Sequence, residues 1–331
     1  MFSMKNMRKL VSILLCIALL GGVLAGCGAG KKSELSVVAM TGPTGIGMVK
    51  LMADSEAEST EVDYTFELVG AADEITGKIV NGDVDIAAVP CNLASVLYNK
   101  TQGAISVLAV NTKGVLYILE AGGESIQSVA DLAGKTIVST GKGTTPEYTL
   151  NYLLTSNGLN PETDVTIEYK SEATEVVAAL KQGLCDVAML PQPMVTAAMA
   201  QVSDLRVALD VTKEWANIQG EGGTDLITGC VIVRNEVLEN NKKAVDTFLK
   251  EYKASINYVN ENVADAAQLV ADYGIIANAA IAEKAIPACN IVFMGGEEMK
   301  ANMEGYLGVL AAANPKAVGG ALPDAAFYYI P

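Results

Sequence analysis

Ile79-Val80-Asn81-Gly82-Asp83-Val84-Asp85-Ile86-Ala87-Ala88-Val89-Pro90 returns 101 residues later as Leu180-Lys181-Gln182-Gly183-Leu184-Cys185-Asp186-Val187-Ala188-Met189-Leu190-Pro191. Gly82, Asp85 and Pro90 keep that spacing to Gly183, Asp186 and Pro191. In both copies an apolar stripe at helical spacing (Ile75, Ile79, Val80; Val176, Val177, Leu180) halts at the glycine, the residue best able to take the left-handed conformation that closes a helix. The spacing predicts helices over 72–81 and 171–182. A short, nearly continuous apolar run follows, as expected of a parallel strand covered on both faces, and proline ends it. Cys91-Asn92 and Gln192-Pro193 then open the next helices.

Outward from this core the likeness continues. Val37-Val38-Ala39-Met40-Thr41-Gly42 recurs, displaced by 99, as Thr136-Ile137-Val138-Ser139-Thr140-Gly141. A second strand follows in each half, with Val62, Tyr64, Phe66 and Leu68 alternating in one and Val165, Ile167 and Tyr169 in the other. Each half is a βαβαβ unit. Solenoid repeats recur every ~20–50 residues, so this period predicts two similar α/β halves, each a mostly parallel sheet flanked by helices.

Composition narrows the chemistry. The 331 residues are half hydrophobic and only 18% charged, which suits a packed body of about two domains and not a disordered chain. Histidine is absent, which removes Ser-His-Asp and Cys-His catalysis and imidazole-ligated metals. A net charge of −15 repels phosphate backbones, so no nucleic-acid partner is expected.

Residues 1–26 read as an export signal. Lys5, Arg8 and Lys9 precede an apolar run from Leu10 to Leu20 and the small-residue stretch Leu24-Ala25-Gly26-Cys27. That stretch resembles the lipobox of bacterial lipoproteins, which implies that Cys27 becomes the lipid-bearing N-terminus; an uncleaved anchor helix is the alternative. Residues 27–34 then form the lipidated cysteine and a small, polar tether. The body is expected outside the cytoplasm, anchored by lipid to the outer face of the cell membrane.

In open α/β sheets, ligands bind beyond the carboxyl ends of the strands. Four loops fall there in mirrored pairs: Thr41-Gly42-Pro43-Thr44-Gly45 with Thr140 to Pro146, and Pro90-Cys91-Asn92 with Pro191-Gln192-Pro193. The candidate ligand-binding residues are accordingly Thr41, Gly42, Pro43, Thr44, Pro90, Cys91, Asn92, Thr140, Gly141, Gly143, Thr144, Thr145, Pro191 and Gln192. Thr144 with Glu147 has capping-box spacing. Free N–H groups at helix starts favour an anionic ligand group at ~0.3–1 kcal/mol per terminus. Lys142 is the one base in these loops and reads as a ligand counter-ion or a solvated side chain.

At these residues the chain resembles the extracytoplasmic solute-binding proteins of ABC importers, in the alkanesulfonate, taurine, nitrate and thiamine-precursor group. Ile126-Gln127-Ser128-Val129-Ala130-Asp131-Leu132-Ala133-Gly134-Lys135-Thr136-Ile137 looks like the opening of that group's second lobe. Leu180 to Pro193 is similar to its Gly-x-x-Asp-Ala element. The resemblance implies the two-lobe periplasmic-binding-protein type II fold, with 35–119 plus 228–331 as lobe I and 120–227 as lobe II. It implies crossings near Tyr117 to Gly123 and Thr224 to Val231, with Gly122-Gly123 and Gly222-Gly223 as hinges. Related thiamine-precursor synthases use histidine and a cysteine-rich motif, and this chain has neither.

Other features read structurally. Cys91, Cys185, Cys230 and Cys289 lack C-x-x-C spacing, so no metal site is expected, and apolar neighbours favour buried thiols. Asp83, Asp85 and Asp186 sit in helix-to-strand turns. Gly42 to Gly47 lacks the lysine-Ser/Thr ending of a phosphate loop. Trp215 is the single tryptophan, either packing residue or stacking platform. Ala244, Phe248, Tyr252, Ile256 and Val259 form a core stripe, Val263 to Ala271 another; Met294 to Ala313 reads as a helix, and Phe327-Tyr328-Tyr329 as an apolar plug.

The expected function is therefore a monomeric substrate-binding lipoprotein, without enzymatic activity or cofactor. It would pass a small organic solute, a sulfonate-, taurine- or nitrate-like anion or a thiamine-precursor-like heterocycle, to an ABC permease and its ATPase. A sensory or structural lipoprotein without a transporter, and an extracytoplasmic lipoprotein enzyme, are the alternatives.

Overall fold

The computed structural model describes residues 32–331; the export-signal and Cys27 lipidation readings lie outside them. The first half runs β1 (Glu34–Met40), α1 (Pro43–Ile46), α2 (Val49–Glu56), β2 (Asp63–Val69), α3 (Ala72–Asn81), β3 (Ile86–Pro90), α4 (Cys91–Lys100) and β4 (Ile105–Lys113). The second runs β5 (Leu116–Ala121), β6 (Thr136–Thr140), α5 (Thr145–Ser156), β7 (Thr166–Lys170), α6 (Ala173–Lys181), β8 (Val187–Pro191), α7 (Met194–Met199), β9 (Leu205–Asp210) and α8 (Val211–Gln219). The chain closes with β10 (Ile227–Arg234), α9 (Asn235–Asn240), α10 (Lys242–Glu261), α11 (Val263–Asp272), α12 (Ala279–Ala285), β11 (Ile291–Gly295) and α13 (Gly296–Ala313).

The repeat becomes two sheets built to one plan. In the first, order β11-β4-β10-β3-β1-β2, the strands β2, β1 and β3 are parallel and β10 lies antiparallel beside β3. In the second, order β7-β6-β8-β5-β9, the strands β7, β6 and β8 are parallel and β5 lies antiparallel beside β8. Gly82 takes a left-handed φ of 81° and Gly183 one of 65°, so both helices stop where the sequence places a residue without Cβ. Helix α6 begins two residues later than its pattern suggests, because Glu172 is its N-cap. The turn aspartate works as architecture: Asp85 Oδ2 accepts from both the Ser36 N–H and its hydroxyl at 2.8 Å, while Oδ1 meets Arg234 at 3.1 Å.

The first passage between sheets falls at Gly114–Val115, earlier than the expected stretch from Tyr117, so Leu116 to Leu119 belong to the second sheet. The apolar run from Val115 to Leu119 reads as a continuation of β4, which hid the break. A Cβ on Gly114 would lie 2.1 Å from Thr212 Oγ1, so only glycine fits there. Gly122-Gly123 lies past the far end of β5 beside Asp204 and Glu120, away from any passage. The second passage spans 220–226 and includes Gly222-Gly223; most of the expected Thr224 to Val231 stretch is already β10.

A continuous hydrophobic cluster joins the sheets, running from Val38 and Val89 through Leu150, Trp215 and Tyr306 to Ile137 and Met189. At its centre the Trp215 ring packs 4.9 Å from Tyr152 and 5.5 Å from Tyr306, and its indole N–H donates to the Thr224 carbonyl at 2.7 Å. Trp215 is thus a fully buried packing residue, as expected of an aromatic whose one polar atom finds a partner. The α10 stripe Ala244, Phe248, Tyr252, Ile256 and Val259 is buried in a second cluster against β1 and β10. Phe327 and Tyr328 cover β4, and Tyr329 reaches the second cluster. Among the described residues, no helix is long and apolar enough to cross a membrane.

Candidate functional site

The two parallel strand sets turn their carboxyl ends toward one cavity of about 560 Å³. From the first sheet come Thr41 to Thr44 after β1, Gly70 to Asp73 after β2, and Pro90 at the end of β3. From the second come Thr140 to Lys142 and Thr144 to Pro146 after β6, Tyr169 to Thr174 at the end of β7, and Pro191 to Met194 after β8. Thr112, Val115, Leu116, Thr228 and Gly229 form part of the wall where the chain passes between sheets.

Of the residues selected from sequence, Thr41, Gly42, Pro43, Thr44, Pro90, Thr140, Gly141, Thr144, Thr145, Pro191 and Gln192 line this cavity. Cys91, Asn92 and Gly143 do not. Helix α4 starts at Cys91, and its first turn carries Cys91 and Asn92 into the core, where both are fully buried. Burial pushes the Cys91 thiol well above its ordinary pKa, and the neighbouring Cys230 thiol adds to it. Asn92 is a brace: its amide donates to the Ala317 carbonyl at 3.0 Å and the Gly143 carbonyl at 3.4 Å, and its Oδ1 accepts from Thr145 at 3.1 Å. Gly143 is exposed, and its N–H donates to the Glu147 carboxylate. The four described cysteines are free; Cys91, Cys230 and Cys289 are buried and Cys185 is half-buried.

Two of the six strand-end loops escaped the sequence reading, those after β2 and β7. Applying the strand-end rule to the second strand of each repeat finds them, because Tyr169 closes an alternation already visible in Val165 and Ile167. The Tyr169 hydroxyl lies buried without a hydrogen-bond partner among the described residues, and burial, then Glu147 and Tyr148, push its pKa up. Thr112 and Thr228 could not be placed from pattern, because their strands pair with partners distant in sequence.

Most of the cavity's threonine hydroxyls are engaged within the protein. Thr228 donates to the Lys113 carbonyl at 2.6 Å, Thr144 to that of Gly141 at 2.7 Å, Thr44 to that of Met40 at 3.2 Å and Thr41 to that of Val69 at 3.3 Å. Thr145 donates to Asn92 Oδ1, and Thr112 to Asn111 Oδ1 at 3.0 Å. The expected capping box therefore does not form: the Thr144 hydroxyl points back to Gly141, and Glu147 accepts from Gly143 instead of Thr144. The Gln192 carbonyl oxygen Oε1 accepts from the Thr196 hydroxyl at 2.9 Å.

At two helix starts the N–H groups just before the first turn are taken by the chain's own carboxylates. Glu74 accepts from the Ala71 N–H at 3.1 Å, and Glu175 from the N–H groups of Ser171 and Glu172 at 2.9 and 3.2 Å. Pro43 and Pro146 stand in the first turns of α1 and α5, and Pro90 and Pro193 cap α4 and α7. Charge at the rim is balanced: Lys142 and Lys170 on one side of the count, Asp73 and Glu172 on the other. A Cβ at Gly70 would lie 3.1 Å from Glu172 Oε1, so this carboxylate reaches from the second sheet's helix to the first sheet's loop. Lys142 is exposed at the mouth. Among the described residues, no cluster of three or more Cys, Asp or Glu could hold a metal ion.

A family profile described as ABC transporter, phosphonate, periplasmic substrate-binding protein matches residues 50–283. Similar solved structures include an ABC transporter protein from Parabacteroides distasonis, 23% identical over 90% of this chain and 99% of that one, with a TM-score of 0.73. The alkanesulfonate-binding protein of Xanthomonas axonopodis pv. citri bound to MOPS is 16% identical over 89% and 96%, TM-score 0.68. The periplasmic aliphatic sulphonate binding protein of Escherichia coli is 18% identical over 88% and 91%, TM-score 0.70. At these identities the likeness is one of fold. No curated protein matches the sequence.

Proposed function

The chain belongs to the periplasmic substrate-binding family of phosphonate-type ABC transporters, and from that premise we propose that the cavity between its two sheets is the place where the transported solute is caught. As the substrate-binding component of an ABC transporter, the protein works outside the cytoplasm with a small-molecule ligand and transporter partners, and its family and structural neighbours are transport components, not enzymes. One observation carries the proposal: six strand ends and the helix starts that follow them, three from each sheet, converge on the same 560 Å³ space. That volume lies within the ~300–1,000 Å³ of small-ligand sites.

A solute touching both rims favours the arrangement in which they stand close, and a permease can read that arrangement from the surface it presents. Gly114–Val115 and 220–226 are the pivots of this reading, with lobe I on one side and lobe II on the other. The Glu172 carboxylate stands close to Gly70 across the mouth. A micromolar ligand corresponds to ~8 kcal/mol, attainable from apolar contact with Met40, Leu116, Pro146, Met194 and Ile275 plus a few hydrogen bonds. The solute classes under consideration are a sulfonate-, taurine-, phosphonate- or nitrate-like anion and a thiamine-precursor-like heterocycle. Acyl chains on Cys27 would hold the receptor, as a monomer, at the outer face of the cytoplasmic membrane; the Leu24-Ala25-Gly26-Cys27 motif supports this.

The test is retention and competition. Protein purified without denaturation is heat-denatured, and released small molecules are identified by mass spectrometry and titrated back by calorimetry. The expected result is one-to-one binding that Leu116→Trp, which fills the cavity, abolishes while the fold persists by circular dichroism. Undiminished binding to a folded Leu116→Trp protein would place the solute elsewhere.

A further inference from the structure

The two sheets repeat each other down to the pairing beside the turn aspartate. At the end of β10 the Arg234 N–H donates to the Asp85 carbonyl at 3.1 Å; at the end of β5 the Ala121 N–H donates to the Asp186 carbonyl at 2.8 Å. One residue on, the Asn235 N–H donates to the Ala104 carbonyl and the Gly122 N–H to that of Asp204. Arg234 therefore corresponds to Ala121, and Ala104 to Asp204. In the first sheet the guanidinium is held from several sides: Nε donates to the Val84 carbonyl at 2.9 Å, Nη2 to Asp85 and Nη1 to Glu236, each at 3.1 Å. A Cβ at Gly82 would lie 3.3 Å from Nη1, so the group rests against a residue without a side chain.

The second sheet keeps the receptacle and lacks the arginine. Gly183, Cys185 and Asp186, in the places of Gly82, Val84 and Asp85, line a cavity of about 330 Å³ together with Ala121 and Asp204. A Cβ at Gly183 would meet nothing within 4 Å. Asp186 is exposed where Asp85 is half-buried, and Cys185 is half-buried where Val84 is buried. Among the described residues, no hydrogen-bond donor or cation pairs with the carboxylate of Asp186 or Asp204. The nearby Arg206 is spent on Glu120 and the carbonyls of Gly123 and Ile126. Lys181 is the one base on the lining, exposed at its rim. The copy has thus lost a guanidinium and gained a carboxylate, and it carries Leu184, 74% exposed, where the first has the solvated Asp83.

We infer that this cavity binds an alkylguanidinium group brought from outside the chain, held as the first sheet holds its own Arg234. A guanidinium suits it better than an ammonium, because the planar fork serves a carboxylate and a carbonyl at once and sheds its weaker hydration more readily. The cavity lies at the opposite end of β8 from Pro191, so the inference does not rest on where the transported solute binds. The group belongs either to a free guanidine or to an arginine of another polypeptide, and the experiment separates these sources.

Backbone amide shifts of the protein are followed by NMR at constant ionic strength during titration with methylguanidinium, methylammonium and the tripeptide acetyl-Leu-Arg-Leu-amide. Saturable shifts of the Gly122 and Gly183 amides are expected, with a dissociation constant of about 1 mM for methylguanidinium and an affinity at least about threefold above that of methylammonium. Asp186→Asn should weaken binding about fivefold. Ala121→Arg, which supplies the group from the chain itself, should abolish binding while the melting temperature holds or rises. A tripeptide bound at least about tenfold tighter than methylguanidinium, with the gain lost in Leu184→Ser, assigns the group to a polypeptide's arginine; a smaller difference assigns it to a small guanidine. Absence of saturable shifts at both glycines, equal affinity for the two cations, or undiminished binding to Asp186→Asn overturns the inference. That last variant alters an exposed side chain, so its fold is not at stake.

Discussion

Replacing Asn92 by alanine separates two roles for a residue at a strand end, ligand contact and internal brace. The side chain is fully buried and makes three hydrogen bonds, to the carbonyls of Ala317 and Gly143 and from the Thr145 hydroxyl. Truncation strands those three groups. At about 0.5–1.5 kcal/mol for a bond and more for a buried group left unpaired, with the long 3.4 Å bond counted lightly, the loss comes to about 2–4 kcal/mol. For a body of this size that is a fall in Tm of roughly 3–6 °C, measured by circular dichroism without ligand. Because Asn92 does not line the cavity, the affinity of the folded variant for its solute should drop less than its stability implies, and Asn92→Asp should not rescue, since a carboxylate cannot donate to Ala317 or Gly143. An Asn92→Ala protein with an unchanged Tm and an abolished affinity would refute the brace and return Asn92 to the ligand.

Two other perturbations have signed outcomes. Burial alone would raise the Glu120 carboxyl, but hydrogen bonds from Ser125, Arg206 and the N–H groups of Ile126 and Ser125 outweigh it and hold the pKa at about 2, below the ordinary 4.5. The stability this contributes is complete above pH 4.5 and is lost as pH falls through 4.5 toward 2; melting curves across that interval should flatten in Glu120→Gln, and an identical pH slope in both proteins would contradict the assignment. Tyr169→Phe removes a buried hydroxyl that has no hydrogen-bond partner among the described residues, so thermal unfolding without ligand should hold steady or rise by up to about 1 kcal/mol while solute affinity falls. A loss of stability with unaltered affinity would show the hydroxyl to be structural.

The duplicated core was readable because its signals are local: glycine after a helical stripe, a short apolar strand, then proline. Gly82 and Gly183 report backbone conformation directly, and Asp85 sits in its turn with partners one strand away. The passage at Gly114 was not readable, since the reason for that glycine is Thr212, almost a hundred residues onward, and a local reading prefers the more conspicuous pair Gly122-Gly123. The same distinction divides the cavity. Strand-end loops follow from chain order, so most of the candidate residues fall on one wall-lined space. Whether a side chain within such a loop faces the cavity depends on helix phase, and this turned Cys91 and Asn92 inward. Hydroxyl polarity is further still from sequence, because the acceptor for Thr228 lies on β4 and that for Thr41 on β2.

The Tyr152–Trp215–Tyr306 seam bears on how the molecule comes apart. The repeat suggests two bodies able to melt one after the other, yet the rings of this seam draw on α5, α8 and α13, and the last of these is reached only after the chain has left the second sheet. Neither half can keep its apolar surface covered once the other is lost, so unfolding should be a single cooperative event. The lone indole, sealed at that junction, supplies its own optical gauge of when it happens.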